Sequence, residues 1–210
     1  LAVIVGTGLG IIAATRQYSL WDNASMALAM MGISAPIFWL GLLCHLVFGV
    51  GLRWFPTSGR WTGTDVPATI TGLYTVDSLL EGSLPHFVKA ISHLFLPCLT
   101  LGLVLSGFFT KTVRANMLRA LTADYSDAAR ARGLPERKVV YRHAFKNALV
   151  PVVTVLGLQF AILFAGAVLT EQTFSSEGMG RLLLQANASI DMTMIQTWIV
   201  VYSSSIGVNI

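Results

Sequence analysis

Residues 90–110 read AISHLFLPCLTLGLVLSGFFT, and this stretch contains no Asp, Glu, Lys or Arg. An α-helix rises about 1.5 Å per residue and the hydrocarbon core of a bilayer is about 30 Å thick, so about 20 apolar residues cross it once. The quoted stretch has that length and that composition. It therefore predicts a membrane-spanning helix.

Further charge-free runs lie on both sides of this stretch, at 1–15, 23–52, 147–170 and 192–210. Inside a bilayer only helices and closed barrels satisfy every backbone polar group, and long runs without alternation favour helices. We predict an all-α polytopic membrane protein, with 1–210 as a single transmembrane domain of five helices. Because apolar runs begin at Leu1 and end at Ile210, we expect truncation at both ends and a sixth span in the complete protein.

The overall composition supports this class. Of 210 residues, 54% are hydrophobic and 11% are charged, and the mean hydropathy is +0.69. Soluble domains carry about 25% charged residues. The composition excludes an ordinary soluble enzyme, a disordered chain and a disulfide scaffold. Cys44 and Cys98 lie in apolar runs, and we interpret both as buried structural thiols.

The basic residues predict the orientation. Residues 111–146 hold nine of the 14 Lys and Arg residues against three acidic ones. By the positive-inside rule, the segment 111–147 is a cytoplasmic loop, and the location of these charges is a signal of topology rather than of nucleic-acid binding. The segment 51–89 is then an extracytoplasmic loop, with three basic and three acidic residues.

Residues 120–150, ALTADYSDAARARGLPERKVVYRHAFKNALV, predict a short helix, a corner and a longer helix. We expect Asp124 to cap a helix over 124–132, Gly133 to end it in the left-handed conformation, and Pro135 to open the next helix. A two-turn helix is marginal by itself. It needs a supporting surface, which is either a partner protein or the lipid headgroups.

The helix after the corner has two stripes. Lys138, Arg142 and Lys146 form a basic stripe, which suits either lipid phosphates or a partner. An apolar stripe on another side consists of Val140, Ala144 and Ala148.

Polar groups inside the predicted spans are few. Thr154 and Gln159 are candidates for a translocation path, and interhelical hydrogen bonding is the alternative. His45 and His93 have no second ligand at a suitable spacing, so we predict no metal site. Pro36, Pro97 and Pro151 are expected to interrupt their spans. The glycine-rich residues 6–10 are interpreted as a close helix-packing site.

The chain carries no sequence signature of an enzyme. A phosphate-binding loop of the G-x-x-x-x-G-K-[ST] type does not occur, and no nucleophile is paired with an acid or base. The predicted spans also lack the ionisable residues that a gradient-driven carrier needs. We therefore expect a non-catalytic chain, and keep a gradient-driven carrier and a membrane-embedded enzyme as alternatives.

The run DYSDAARARGLPERKVVYRHAFKNALVPVVTVLGLQ at 124–159 resembles the inner-membrane permeases of ABC importers, and in particular the dipeptide, oligopeptide and nickel family. EQTFSSEGMGRLL at 171–183 and WFPTSG at 54–59 also resemble that family, and WFPTSG together with the spacing of the spans suggests its B-type subunit. The resemblance implies the type I importer permease fold in a bacterial plasma membrane. It also implies transport of dipeptides or oligopeptides, with nickel, haem-like ligands and glutathione as alternative cargoes.

The resemblance further implies a set of partners. These are a C-type permease subunit, two cytosolic ATPase subunits that bind the ATP and Mg²⁺, and an extracytoplasmic peptide-binding protein, with the chain itself holding no cofactor. The segment 124–132 then corresponds to the coupling helix that docks on an ATPase subunit. The residues that the resemblance assigns to this coupling are Asp127, Ala128, Ala129, Arg130, Gly133 and Leu134.

Overall fold

The structure, a computed structural model, describes residues 1–57, 59–63, 65, 67, 71–176 and 178–207. Every regular element among these residues is helical. The first elements are α1 (Ala2–Thr15), α2 (Leu20–Ser34), α3 (Ile37–Cys44) with a π-helical continuation (His45–Gly51), α4 (Tyr74–Leu80) and α5 (Leu84–Leu121). They are followed by α6 (Asp124–Ala131), α7 (Glu136–Lys138), a π-helical turn (Val139–Ala144), α8 (Phe145–Thr173), α9 (Met179–Ala188) and α10 (Met192–Gly207).

These elements fall into two compact units. The first contains Leu1–Ala35, Gly102–Leu163 and the chain from Ser205, and the second contains Pro36–Leu101 and Phe164–Ser204. Each unit is described by itself. The single domain over 1–210 stays a prediction.

Among the described residues the predicted apolar runs are helical, and the interruption expected at Pro36 is confirmed. The run 23–52 is divided, because α2 ends at Ser34 and α3 begins at Ile37. Ala35 is extended (φ −79°, ψ 130°), as expected for a residue before proline, and Pro36 has no N–H with which to continue α2. The expectation for Pro97 and Pro151 was wrong, since α5 and α8 continue through them.

Helix length gives partial support for the membrane interpretation. Among the described residues one helix, Leu84–Leu121, is long and apolar enough to cross a membrane. A second candidate exists if the helices on both sides of the Ala35–Pro36 break form one span. The count of five spans stays a prediction.

In the first unit, α1 packs closely against α5. A Cβ atom added to Gly6 would lie 2.5 Å from the Phe109 Cβ, and one added to Gly10 would lie 2.6 Å from the Val113 Cβ. Neither distance is compatible with a side chain. The interpretation of this glycine-rich segment as a packing site is confirmed. The core behind it continues along α5 and into α8, with Met117, Val140, Ala144, Ala148 and Val152 buried.

In the second unit, Cys44, Leu96 and Phe174 form a buried cluster. The prediction of a buried thiol is confirmed for Cys44 and wrong for Cys98, which lies exposed on α5. Next to α4, the buried Asp77 carboxylate accepts hydrogen bonds from the Thr71 backbone N–H (2.8 Å), the Thr71 hydroxyl (2.6 Å) and the Gly72 backbone N–H (3.1 Å). The segment that precedes α5 is therefore folded onto itself.

Candidate functional site

The short helix predicted from the sequence exists as α6, and its start differs from the expectation. Ala123 is the N-cap residue and Asp124 is the first helical residue, so the prediction that Asp124 caps the helix was wrong. The Ala123 carbonyl instead accepts a hydrogen bond from the Ser126 backbone N–H at 2.8 Å. Asp124 and Asp127 still lie in the first turn, where their negative charge stabilises the positive end of the helix dipole.

Two side chains attach α6 to the end of α5. The Ser126 hydroxyl, fully buried, donates to the Ala120 carbonyl at 2.6 Å. One Arg130 guanidinium nitrogen donates to the Leu121 carbonyl at 3.0 Å. Both contacts satisfy carbonyl groups in the last turn of α5, which have no partner inside that helix. Movement of α6 is thereby tied to movement of α5.

Arg130 also connects α6 to the segment after the corner. It pairs with Asp127 at 2.8 Å and binds both carboxylate oxygens of Glu136 at 2.9 and 3.1 Å. These hydrogen bonds raise the pKa of Arg130 and hold the pKa of Glu136 below its ordinary value. The Arg130 side chain is thus engaged within the loop.

The corner at Gly133 confirms the sequence prediction. Gly133 has φ +75°, and its N–H donates to the Arg130 carbonyl, while the Leu134 N–H donates to the Ala129 carbonyl. This pair of bonds is a Schellman motif, which favours glycine because a side chain is strained at positive φ. Pro135 is the N-cap residue and α7 begins at Glu136, one residue later than predicted.

The exposed surface of α6 differs from the set that the resemblance assigned to coupling. Ala129 is 4% exposed and packs inward, while Asp127, Ala128 and Gly133 are exposed and Leu134 is half-buried. Tyr125 is 41% exposed and lies one turn from Ala128, on the same face. Tyr125 was absent from the predicted set. The signal that could have identified it is a single aromatic residue in a helix of small side chains.

The two stripes of the following helix are present. Val140, Ala144 and Ala148 are buried, whereas Lys138, Arg142 and Lys146 are exposed. Part of this helix, Val139–Ala144, is a π-helical turn against which α6 packs. Val139 and Val140, which are adjacent at the start of this turn, are both buried.

The two candidates for a translocation path do not lie together. Thr154 is exposed and its hydroxyl donates to the Val150 carbonyl at 3.3 Å. Gln159 is buried, and its Oε1 atom has no hydrogen-bond partner among the residues that the structure describes. Five residues of α-helix separate their directions by about 140°. The path assignment of both residues stays a prediction.

At the other end of α8, Glu171 has a structural contact. Its carboxylate accepts a hydrogen bond from the Arg181 backbone N–H, at the start of α9, at 3.0 Å. Glu177 lies outside the described residues. Within the described part of the chain, no group of three His, Cys, Asp or Glu side chains is arranged to hold a metal ion.

The described residues thus combine a long apolar helix with a short helix that is fixed to its end and exposes a small-residue face. Residues 6–210 match the family described as the binding-protein-dependent transport system inner membrane component. The chain belongs to this family.

Its relatives include peptide permeases. The chain is 39% identical over 203 residues to the dipeptide transport system permease protein DppB of Alkalihalophilus pseudofirmus, covering 97% of this chain and 61% of that protein. It is 40% identical over 195 residues to the di/tripeptide transport system permease protein DppB of Pseudomonas aeruginosa, covering 93% of this chain and 58% of that protein. A probable D,D-dipeptide transport system permease protein of Escherichia coli is 40% identical over 206 residues, with 97% and 60% covered. The chain thus spans about three fifths of the length of these relatives.

Proposed function

We propose that this chain is part of the permease subunit of an ATP-binding cassette importer that moves dipeptides or oligopeptides across a bacterial plasma membrane. The observation that carries the proposal is α6, which is held on the end of α5 by Ser126 and Arg130 and exposes a small-residue face at Ala128. Such a face allows the close approach of a groove on another protein.

The cargo assignment rests on the relatives. Those described above are named as dipeptide, di/tripeptide and probable D,D-dipeptide permeases. Short peptides are therefore a better supported cargo than nickel, haem-like ligands or glutathione.

The topology follows from charge. The five apolar runs cross the membrane, and the excess of Lys and Arg holds the loop 111–147 in the cytoplasm. On that side α6 docks on one of two ATPase subunits, which bind ATP and Mg²⁺. A C-type permease subunit completes the transmembrane part, and a peptide-binding protein delivers cargo to the opposite face.

Transmission of force is the task of this chain in the proposed cycle. Closure of the ATPase subunits displaces α6, and the hydrogen bonds from Ser126 and Arg130 carry that displacement into α5. The helices then change which side of the membrane has access to the cargo.

The test enlarges the exposed face of α6 without disturbing its attachment. Ala128→Trp, in the full-length protein co-expressed with its ATPase, permease and binding-protein partners, is expected to abolish co-purification of the ATPase subunits. ATP-dependent peptide uptake into proteoliposomes should fall by at least about tenfold, equivalent to about 1.4 kcal/mol.

A matched control adds the same side chain elsewhere. Ala188→Trp places tryptophan at another exposed helical position, at the end of α9, and should leave the ATPase subunits bound. Normal uptake and normal co-purification in Ala128→Trp would contradict the proposal. Peptide uptake that survives ATP depletion but stops with a proton uncoupler would favour a gradient-driven carrier.

A further inference from the structure

An ion pair between the buried Asp22 and the partly buried Arg114 joins α2 to the C-terminal part of α5, although 92 residues separate the two in the sequence. The Arg114 Nε atom donates to Asp22 Oδ1 at 2.7 Å, and Arg114 Nη2 donates to Asp22 Oδ2 at 2.7 Å. Asp22 is 2% exposed. Two parallel, short, charge-assisted bonds fix both the distance and the orientation of the two side chains.

The same carboxylate also organises the turn before α2. Asp22 Oδ2 accepts a hydrogen bond from the Tyr18 backbone N–H at 3.0 Å, and Tyr18 has a left-handed backbone with φ 60°. The Asp22 N–H in turn donates to the hydroxyl of Ser19, the N-cap residue of α2. Asp22 thus contacts the N-cap of α2 through its backbone N–H, and the preceding turn and α5 through its carboxylate.

Stability alone is a poor reason for such a pair. Removing two charges from water costs about as much as their attraction returns, and apolar replacements of buried pairs are often as stable. A bidentate pair provides a fixed register instead, because the two helices cannot slide or rotate past each other without breaking both bonds.

The position of Arg114 connects this register to α6. Arg114 lies seven residues before Leu121, which is about 10 Å along α5. The last turn of α5 carries Ala120 and Leu121, the residues that hold α6 through Ser126 and Arg130. A displacement of α6 therefore reaches Arg114 through two turns of continuous helix.

We propose that Asp22 and Arg114 are positioning residues that make α2 move as one body with the end of α5 when a partner displaces α6. The inference rests on the proposed function. It adds that coupling between ATP hydrolysis and transport requires this contact, whereas docking of the ATPase subunits does not.

The experiment replaces the ion pair by two cysteines that can be joined by a covalent link after reconstitution. Asp22→Cys and Arg114→Cys are combined in a background in which Cys44, Cys98 and every other cysteine of the complex are replaced by Ala, so that the two new thiols are the targets of a short bifunctional thiol reagent. The double replacement leaves no unpaired buried charge. The complete complex is reconstituted in proteoliposomes, and peptide uptake per ATP hydrolysed is measured before and after cross-linking.

We expect the ATPase subunits to remain bound and uptake per ATP to fall at least about fivefold before cross-linking, as for a lost coupling of ordinary size. Cross-linking should restore the ratio to within about twofold of the background. A ratio that is normal before cross-linking, or that stays low after complete cross-linking, overturns the inference.

Two further measurements separate coupling from folding and from the proposed function. In a second variant, Asp22→Asn with Arg114→Gln, uncharged amide side chains replace both charges. This variant should show the same low uptake per ATP, and it replaces the cysteine variant in the test if that variant does not assemble. Asp191→Asn is the matched control, because Asp191 accepts a hydrogen bond from the Met194 N–H near the start of α10 and an amide oxygen can replace it. An absence of ATP-dependent uptake already in the background would overturn the proposed function, and the inference with it.

Discussion

The basic loop (111–147) and the neutral loop (51–89) have different kinds of side chain at the centre of their contacts. In the basic loop a charged side chain, Arg130, bridges α5, α6 and the segment after the corner. In the neutral loop an aromatic side chain, Trp61, has ring centroids of Tyr74, His86 and His93 within 5.6, 5.8 and 6.3 Å. The aromatic ring of Trp61 therefore brings together residues far apart in the sequence, whereas Arg130 joins neighbouring segments and leaves Ala128 on α6 exposed.

The charged side chains of the two loops are also arranged differently. The neutral loop also has His86 between the carboxylates of Asp65 (3.0 Å) and Glu81 (3.2 Å), and the Lys89 ammonium lies 4.6 Å from the centroid of Trp61. The hydrogen bond from His86 holds the pKa of Asp65 below its ordinary value. Asp65 and Glu81 are thus paired within the loop, while the basic stripe at Lys138, Arg142 and Lys146 faces outward.

The largest effect is expected from removing the aromatic centre. Trp61→Ala should destabilise the neutral loop by about 3 kcal/mol, the low end for tryptophan replacements because Trp61 is half-buried. It also removes the hydrogen bond from the indole N–H to the Asp65 carbonyl. Limited proteolysis of the protein in nanodiscs should show faster cleavage within 51–89.

Trp54→Ala is the matched control, since Trp54 is 65% exposed in the same loop. Its cleavage rate should stay near that of the unmodified protein. Equal cleavage of the two variants would show that the cluster around Trp61 does not hold the loop.

A second prediction imposes the same backbone strain on two glycines. Gly133 (φ +75°) and Gly82 (φ +71°) each have no atom within 4 Å of an added Cβ, so substitution strains the backbone without a steric clash. A residue with a side chain in this conformation costs about 1–2 kcal/mol. Gly133→Val should weaken the end of α6 and reduce ATP-dependent uptake, whereas Gly82→Val should lower thermal stability by a similar amount and leave uptake per ATP unchanged.

Gly133→Asn tests the cause, because asparagine tolerates the left-handed conformation better than valine. It should recover most of the lost uptake. Equal loss of coupling in Gly133→Val and Gly82→Val would mean that strain acts through general stability rather than through α6.

The smallest effect concerns pH in the basic loop. Because Arg130 holds the pKa of Glu136 below its ordinary value of 4.5, the pair stabilises the loop above that value and is lost as pH falls through the lowered pKa. Glu136 is exposed, so the ion pair contributes only about 0.2–1 kcal/mol to the stability of the loop. A spin label on the exposed Ala128 should become more mobile in the same range of acid pH.

Glu136→Gln supplies the control for that measurement. It should make the label mobile already at neutral pH and remove most of the acid dependence. Identical pH profiles with and without Glu136 would contradict a role of the Arg130–Glu136 pair in this change.

Some features followed from local chemistry and needed no tertiary information. The apolar runs determined the helical class, and Gly133 determined the corner because few other residues adopt positive φ there. The spacing of Val140, Ala144 and Ala148 identified the buried side of the next helix. These properties depend on residues that are near neighbours in the chain.

Other features depended on groups that are distant in the sequence or on choices between equivalent local states. The sequence placed Arg130 among the residues for a partner, and the fold engages its guanidinium with Asp127, Glu136 and the Leu121 carbonyl. An interruption was predicted at Pro36, Pro97 and Pro151 alike, but it occurs at Pro36, while α5 and α8 continue through Pro97 and Pro151. A proline can either end a helix or be accommodated within it, and the surrounding packing decides.

The amino-acid sequence by itself determined where this protein is apolar, where it is basic and where a short helix must turn. Periodicity and backbone preference act over a few residues, so they can be recognised in the sequence before the fold is known. Only the tertiary structure decided which side of α6 is exposed and that Asp22 meets Arg114, because burial and ion pairing across 92 residues are set by how the helices pack.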